Sequence, residues 1–294
     1  GTPYAGDSHV GLVRDDNEDA FLLAPPLFAV ADGLGGHQAG EIASALAIDT
    51  LLASAPRQAD AKALGRAVRR ANSAVIQAAE TGRGRSGMGT TMTAAMVDGT
   101  RIALAHVGDS RAYLLHLGKL EQLTDDHSMV ADLVRQGRLT AEEARHHPNR
   151  SVITRALGSD PDMLADTFEV QASPGDRLLL ATDGLTGLVT DDEIESMLAA
   201  APTPSDAVDT LIDAALDSGG HDNITVVVVD LGRPRSDRAH RPAGGPRWGL
   251  RVLWLLALIA VVAAAGWIAH SYARSQAYLI DEGGYVAVYE GVPG

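Results

Sequence analysis

Four times along this sequence an aspartate stands where an apolar run starts or stops. Asp32 follows LFAVA, Asp109 follows IALAHVG, Asp183 follows LLLAT, and Asp222 with Asn223 comes just before ITVVVV. Glu18 and Asp19 precede AFLLA in the same way, and Gly33, Gly108 and Gly184 adjoin three of the four aspartates. One such aspartate is usually a turn residue. Recurrence at so many strand ends describes a rim that collects like charges, which is unstable unless a cation neutralises them. The chain has no cysteine, so disulfides, thiolate metal sites and a cysteine nucleophile are excluded. Carboxylates and main-chain carbonyls form a hard, oxygen-rich donor set that favours Mg²⁺ or Mn²⁺ over zinc. Two such ions about 4 Å apart, bridged by one carboxylate, would hold a water as hydroxide for in-line attack on phosphorus. Glycine beside the bridging aspartate would let a backbone carbonyl approach the metal where a Cβ would crowd it.

Two further side chains suit that chemistry. Arg14 lies four residues before Glu18, and its guanidinium can bind a phosphoryl group bidentately; the alternative is a solvated surface arginine. His37, in GLGGHQAG, is either a general acid for the leaving oxygen or a structural histidine of a glycine-rich loop. That loop is not a Walker loop, since no Gly-Lys-Ser/Thr follows, and its glycine spacing does not fit a dinucleotide fingerprint.

The elements that must position these residues are short. Apolar runs at 21–23, 27–31, 91–97, 101–106, 111–116, 177–181 and 224–230 predict strands, and residues 39–53, 61–80, 192–200 and 205–216 have helical composition. Hairpin-length links at 98–100 and 108–110 predict antiparallel pairing. Helices grouped between hairpins predict an α+β sandwich rather than a doubly wound βαβ sheet. Residues 127–152, polar and rich in Arg and His, read as an inserted surface segment.

The chain has 294 residues, 46% of them hydrophobic, enough for one large core or two modest ones. Its formal charge of −14 is uneven. Residues 233–251 hold six arginines against Asp237 for a net +5, and 270–294 carry −2, which leaves −17 for the first 232 residues. A body that acidic is a poor nucleic-acid binder and well suited to divalent cations. From 252 to 269 run eighteen residues without a charge, with Trp248, Trp254 and Trp267 near the ends. At about 1.5 Å per residue this nearly crosses a hydrocarbon core of about 30 Å. The preceding arginines would place residues 1–232 on the cytoplasmic side. Residues 232–247 read as a polar linker.

Eight blocks spell a family: GLVRDDNEDA, VADGLGGHQAGEIAS, GMGTTMTA, HVGDSRAYLL, TDDHS, RSVITRALG, LLLATDGL and GGHDNITVVVV. Over about residues 6–231 the chain resembles the PP2C-like (PPM) metal-dependent protein serine/threonine phosphatases. It is most similar to bacterial members with a C-terminal membrane span, especially actinobacterial phosphatases paired with transmembrane serine/threonine kinases. The resemblance implies an α-β-β-α sandwich of two central antiparallel sheets flanked by helices, with a metal cluster at one end. It implies that Asp32 bridges both metals, that Gly33 contributes its carbonyl, that Asp183 and Asp222 complete one ion, and that Glu18 binds the other largely through water. Arg14 would hold the substrate phosphate. Asp109, Asp183 and Ser151 would take a third, weaker ion, and residues 127–152 would be a flap beside the cleft. Other branches place the candidate acid histidine directly after the Asp-Gly pair, whereas here Leu34, Gly35 and Gly36 intervene before His37.

The organisation expected from these readings is a phosphatase domain at 1–232, an Arg/Pro/Gly-rich linker at 233–249, a single transmembrane helix at 250–270 and the start of an extracytoplasmic segment at 271–294. The expected substrates are phosphorylated proteins, including receptor-like kinases. The catalytic domain is expected to be monomeric and to bind no nucleic acid.

Overall fold

The computed structural model describes residues 3–35, 39–232, 263–268, 270–271, 277–282 and 285–290. The chain divides into two compact units, Gly1–Pro234 and Arg235–Gly294. The strands of the first are β1 (Tyr4–His9), β2 (Ala20–Ala24), β3 (Leu27–Ala31), β4 (Gly33–Leu34), β5 (Gly89–Thr90), β6 (Met92–Asp98), β7 (Arg101–Val107), β8 (Arg111–His116), β9 (Lys119–Gln122), β10 (Asp166–Gln171), β11 (Arg177–Ala181) and β12 (Ile224–Asp230). Its helices are α1 (Ala39–Ser54), α2 (Ala61–Glu80), α3 (Met129–Arg135), α4 (Ala141–Arg145), α5 (Asp183–Thr186), α6 (Asp191–Ala200) and α7 (Pro204–Asp217). Two five-stranded sheets form, in the orders β1-β12-β11-β8-β9 and β10-β7-β6-β3-β2, and every pair is antiparallel.

Central strands read as unbroken apolar runs because both of their faces are buried. Along β12, Val227 and Val229 join Phe28, Val30, Leu104 and Leu178 between the two sheets, while Val226 and Val228 pack outward against Leu211 and Ala215 of α7. On the opposite outer face, Ala29, Ala94 and Ala105 lie beneath Ala43, Leu64 and Val68 of α1 and α2. Alanine on the sheet leaves room for the helices to approach closely. Each large side chain buried in this way contributes on the order of 1.5–3 kcal/mol. Helix α2 is set by apolar residues at three- and four-residue spacing (Leu64, Val68, Ala71, Val75) and by Asp60, whose side chain accepts from the Ala63 N–H at the N-cap.

The predicted link at 98–100 is a hairpin between β6 and β7, with Asp98 opposite Arg101. The one at 108–110 is not. Strands β7 and β8 belong to different sheets, so this segment is the corner by which the chain crosses the sandwich. Gly108 makes the corner possible: its φ is +113°, and a Cβ there would lie 2.6 Å from the Thr91 side chain. Strands β1, β9 and β10 are edge strands without an apolar run, so the sequence does not mark them, unlike the edge strand β2 with its AFLLA; β10 alternates half-buried and exposed positions.

In the second unit, residues 263–268 and 270–271 are helical. Strands β13 (Ala277–Glu282) and β14 (Tyr285–Glu290) form a hairpin with Ala277 opposite Glu290. The linker expected at 233–249 and most of the expected span lie outside the described residues, and among those described no helix is long and apolar enough to cross a membrane.

Candidate metal centre

The acidic residues come from both sheets and meet at one end of the sandwich. Asp32 leaves β3, while Glu18 and Asp19 lead into β2, whose Ala20 lies opposite Ala31. From the other sheet, Asp183 opens the single turn of α5 after β11, and Asp222 precedes β12, with Ala181 opposite Val226. Asp109 sits in the corner after β7. Desolvation pushes the Asp32 carboxyl well above the usual range, and the charges of Asp19, Asp183, Asp109 and Asp222 push it further. Asp109 is raised by burial and then by Asp183. Asp183 is raised by burial and by Asp222, against a hydrogen bond it shares with Asp32. Asp19 rises to about 8, because burial outweighs the hydroxyl groups of Thr225 and Thr182 that donate to its Oδ2 at 2.6 and 2.8 Å.

These groups fit a divalent cation. Among the described residues, Asp19 Oδ1, Asp109 Oδ1 and Asp183 Oδ1 are buried without a hydrogen-bond partner. A buried carboxylate oxygen left unpaired is costly unless a proton or a cation meets it. The side chains are near enough to repel one another, yet no three acidic or histidine groups among the described residues are closed tightly around one point.

Backbone ties hold the cluster in place. The Asp32 N–H donates to Thr91 Oγ1 at 2.8 Å, and its carbonyl accepts from the Thr91 N–H at 2.9 Å and from the Thr90 hydroxyl at 2.9 Å. The Glu18 N–H donates to Asn223 Oδ1 at 2.8 Å, and the Asn223 amide donates to the carbonyls of Val10 and Asp16 at 2.9 and 3.0 Å. Asn223 therefore stitches the loop before β2 to the start of β12. A Cβ on Gly33 would lie 2.3 Å from the Gly40 carbonyl oxygen and 2.5 Å from that of Glu18. The glycine is thus required by the close approach of α1 to the Asp32 turn, in addition to the carbonyl access its place beside Asp32 suggested.

Arg14 is half-exposed and donates from Nη2 to Asp222 Oδ2 at 2.8 Å. Desolvation acts to lower its pKa, but Asp222, Asp32 and Glu18 together raise it. The expected phosphate ligand is therefore paired with an expected metal ligand at the rim. Ser151 lines a cleft of about 380 Å³ together with Asp109 and Asp183, and Arg145 and Arg150 line it from the flap side. His37 lies outside the described residues. Asp19 went unselected as a site residue, although its adjacency to Glu18 before β2 was the available signal.

A two-sheet sandwich with helices on both outer faces and an acidic cluster at one end is a family architecture, and the chain belongs to the protein phosphatase 2C family, which its residues 14–224 match. Among curated relatives it is similar to the serine/threonine protein phosphatase PstP of Mycobacterium tuberculosis, at 37% identity over 342 residues, 99% of this chain and 65% of that protein. The chain thus spans 65% of the length of that relative. It is 40% identical to the serine/threonine phosphatase stp of Listeria monocytogenes over 233 residues, 75% of this chain and 92% of that protein. Among solved structures, the M. tuberculosis phosphatase PstP/Ppp superposes with a TM-score of 0.75 at 43% identity, covering 79% of this chain and 99% of that one. The PstP catalytic domain in complex with two manganese ions gives 0.72 at 42% identity, covering 78% and 97%.

Proposed function

We propose that this chain hydrolyses phosphoserine and phosphothreonine in proteins, using Mn²⁺ or Mg²⁺ held by the carboxylate rim, with two tight ions and a third, weaker one. The observation that carries this reading is the set of buried, unpartnered carboxylate oxygens at the end of the sandwich, in a family where one relative's structure holds two manganese ions. Asp32 would be the shared ligand, with the Gly33 carbonyl, Asp183, Asp222 and Glu18 around it, and Asp109, Asp183 and Ser151 would hold the weaker ion. When bound, the ions supply neutralisation of the rim, Lewis-acid polarisation of the phosphoryl group and a water acidic enough to attack at neutral pH. Arg14, tied to Asp222, presents its remaining guanidinium donors at the rim for the phosphoryl oxygens. Asp19 is fixed through Oδ2 by two threonines, which leaves Oδ1 for a water or an ion. His37 is the candidate acid for the leaving oxygen. In an assay on a phosphothreonine peptide, EDTA should abolish turnover and Mn²⁺ restore it; undiminished turnover in EDTA overturns the reading.

The same proposal places the catalytic part in the cytoplasm, tethered by a membrane span at 250–270. Support comes from the uncharged run at 252–269 and the arginines before it. With the statistics of an unstructured chain, a linker of about fifteen residues would reach only about 20 Å on average, which would keep the cleft near the bilayer. Substrates already at the membrane, such as the cytoplasmic domains of receptor-like kinases, then gain effective concentration. Protease added to intact spheroplasts should clip the chain after His270 and spare residues 1–232. Digestion of the catalytic part from outside reverses the topology, and recovery in the soluble fraction removes the span.

A further inference from the structure

The flap, residues 127–152, has almost no core of its own. Its helices α3 and α4 span seven and five residues; Val130 is the buried residue of α3, and α4 has none. Helices that short are marginal in isolation, so the position of the flap depends on the ties at its base.

Those ties converge on Asp166, the first residue of β10. Its Oδ2 accepts from His127 Nε2 at 2.9 Å and its Oδ1 from Arg155 Nη1 at 2.6 Å. His127 begins the flap, and Arg155 follows its return, where Ser128 bridges to Ile153. One carboxylate therefore grips both ends of the segment. His127 is buried, and its tautomer is dictated by a neighbour. Nδ1 faces the Gly108 N–H at 3.0 Å, a group that only donates, so the ring proton sits on Nε2 and goes to Asp166. The His127 N–H donates to the Gly108 carbonyl at 2.7 Å, and its own carbonyl accepts from the Thr154 N–H at 2.8 Å. The His106 ring backs it, with centroids 4.9 Å apart. Gly108 is the corner that carries Asp109, and Asp109 lines the same cleft as Ser151, Arg145 and Arg150.

We propose that Asp166 and His127 are positioning residues that hold the flap against the cleft, so that they govern binding of the peptide around the phosphoresidue without touching the phosphate. This rests on the phosphatase reading above. The side chain of Asp166 is 45% exposed, so its removal creates no cavity and the variant should fold.

The full chain with Mn²⁺ is assayed on a phosphothreonine peptide and on p-nitrophenyl phosphate, which has no peptide to meet the flap. Trypsin cleavage at the flap arginines is followed separately on the resting protein. Asp166→Ala should raise KM for the phosphopeptide about tenfold, the scale of lost charge-assisted hydrogen bonds. Its p-nitrophenyl phosphate kinetics should stay within about twofold of wild type, and its flap should be cut several times faster. Asp166→Asn keeps one acceptor and should fall between, and His127→Gln, which keeps a donor toward Asp166, should do better than His127→Ala. Unchanged peptide KM with unchanged flap cleavage overturns the proposal, as does equal loss on both substrates. A wild-type chain inactive on both substrates would instead overturn the phosphatase reading, and flap cleavage, which needs no turnover, would still decide the role of Asp166.

Discussion

Asp32, Asp109 and Asp183 carry raised carboxyl pKa values with the same first cause, desolvation, and each is raised further by the charge of another aspartate. The residues that make the site useful therefore strain the fold around it. Asp32→Asn should lower turnover at least about 10²-fold, the scale seen when a preorganised electrostatic group is removed. The same change should raise the melting temperature of the metal-free protein at alkaline pH, where it spares the fold a buried carboxylate ionised among like charges. Activity assays and thermal melts in EDTA check the two halves. Arg14→Ala should mainly raise KM for phosphopeptides, with metal affinity changed little; unaltered KM and kcat would return Arg14 to a rim residue whose one task is its bond to Asp222. Asp109→Ala should lose activity while titration calorimetry still shows both tight metal sites.

Glycines at the contacts between elements decide whether those charges meet. A Cβ on Gly184 would lie 2.0 Å from the Asn223 carbonyl oxygen, so α5 can start only where β12 begins if residue 184 has no side chain. Gly184→Ala should cost about 1–3 kcal/mol in urea unfolding, the range for overpacking, and should weaken metal binding by moving Asp183 away from Asp222. Stability loss without loss of metal affinity would detach the glycine from the site. The buried strands β3, β6, β7, β11 and β12 were legible from their unbroken apolar runs. The edge strands β1, β9 and β10 were not, since half-exposed positions carry a mixed pattern that polar loops share, whereas the edge strand β2 was readable from its apolar AFLLA run.

At the scale of the molecule, two sets of groups give stability opposite pH dependences. Asp19 titrates at about 8 in the fold against 3.8 ordinarily. The folded state then binds more protons than the unfolded one, so this contribution is present at low pH and is lost as pH rises toward 8. Burial, reinforced by the neighbouring His127 ring, lowers His106 from 6.5 to about 4; the unfolded state binds more protons there, so that contribution is present above 6.5 and is lost as pH falls toward 4. Above pH 6.5 only the carboxylates still act. The metal-free protein should therefore melt at lower temperature at pH 8 than at pH 6.5. Saturating Mn²⁺ should raise the melting temperature more at pH 8, with stabilisation of about 2.7 kcal/mol expected at a hundredfold excess over Kd. Scanning calorimetry at the two pH values checks both. Equal Mn²⁺ gains would show that the ions do not displace protons from the rim.

The sequence by itself determined the chemistry on offer: hard oxygen donors at strand ends, no thiol, a phosphate-sized cation in Arg14, and eight ordered blocks that resemble one family. Those features are local, because a residue type and the end of an apolar run can be read within a few positions. Tertiary structure alone decided the rest. That segment 108–110 crosses between sheets rather than turning back, that Arg14 is bound to Asp222, and that Asp19 joins the cluster all depend on residues far apart in the chain, 208 positions for Arg14 and Asp222. So does the grip of Asp166 on both ends of the flap. Hydrogen bonds and like-charge repulsion act through distance in space, and only the folded sandwich brings those partners within 3 Å of each other.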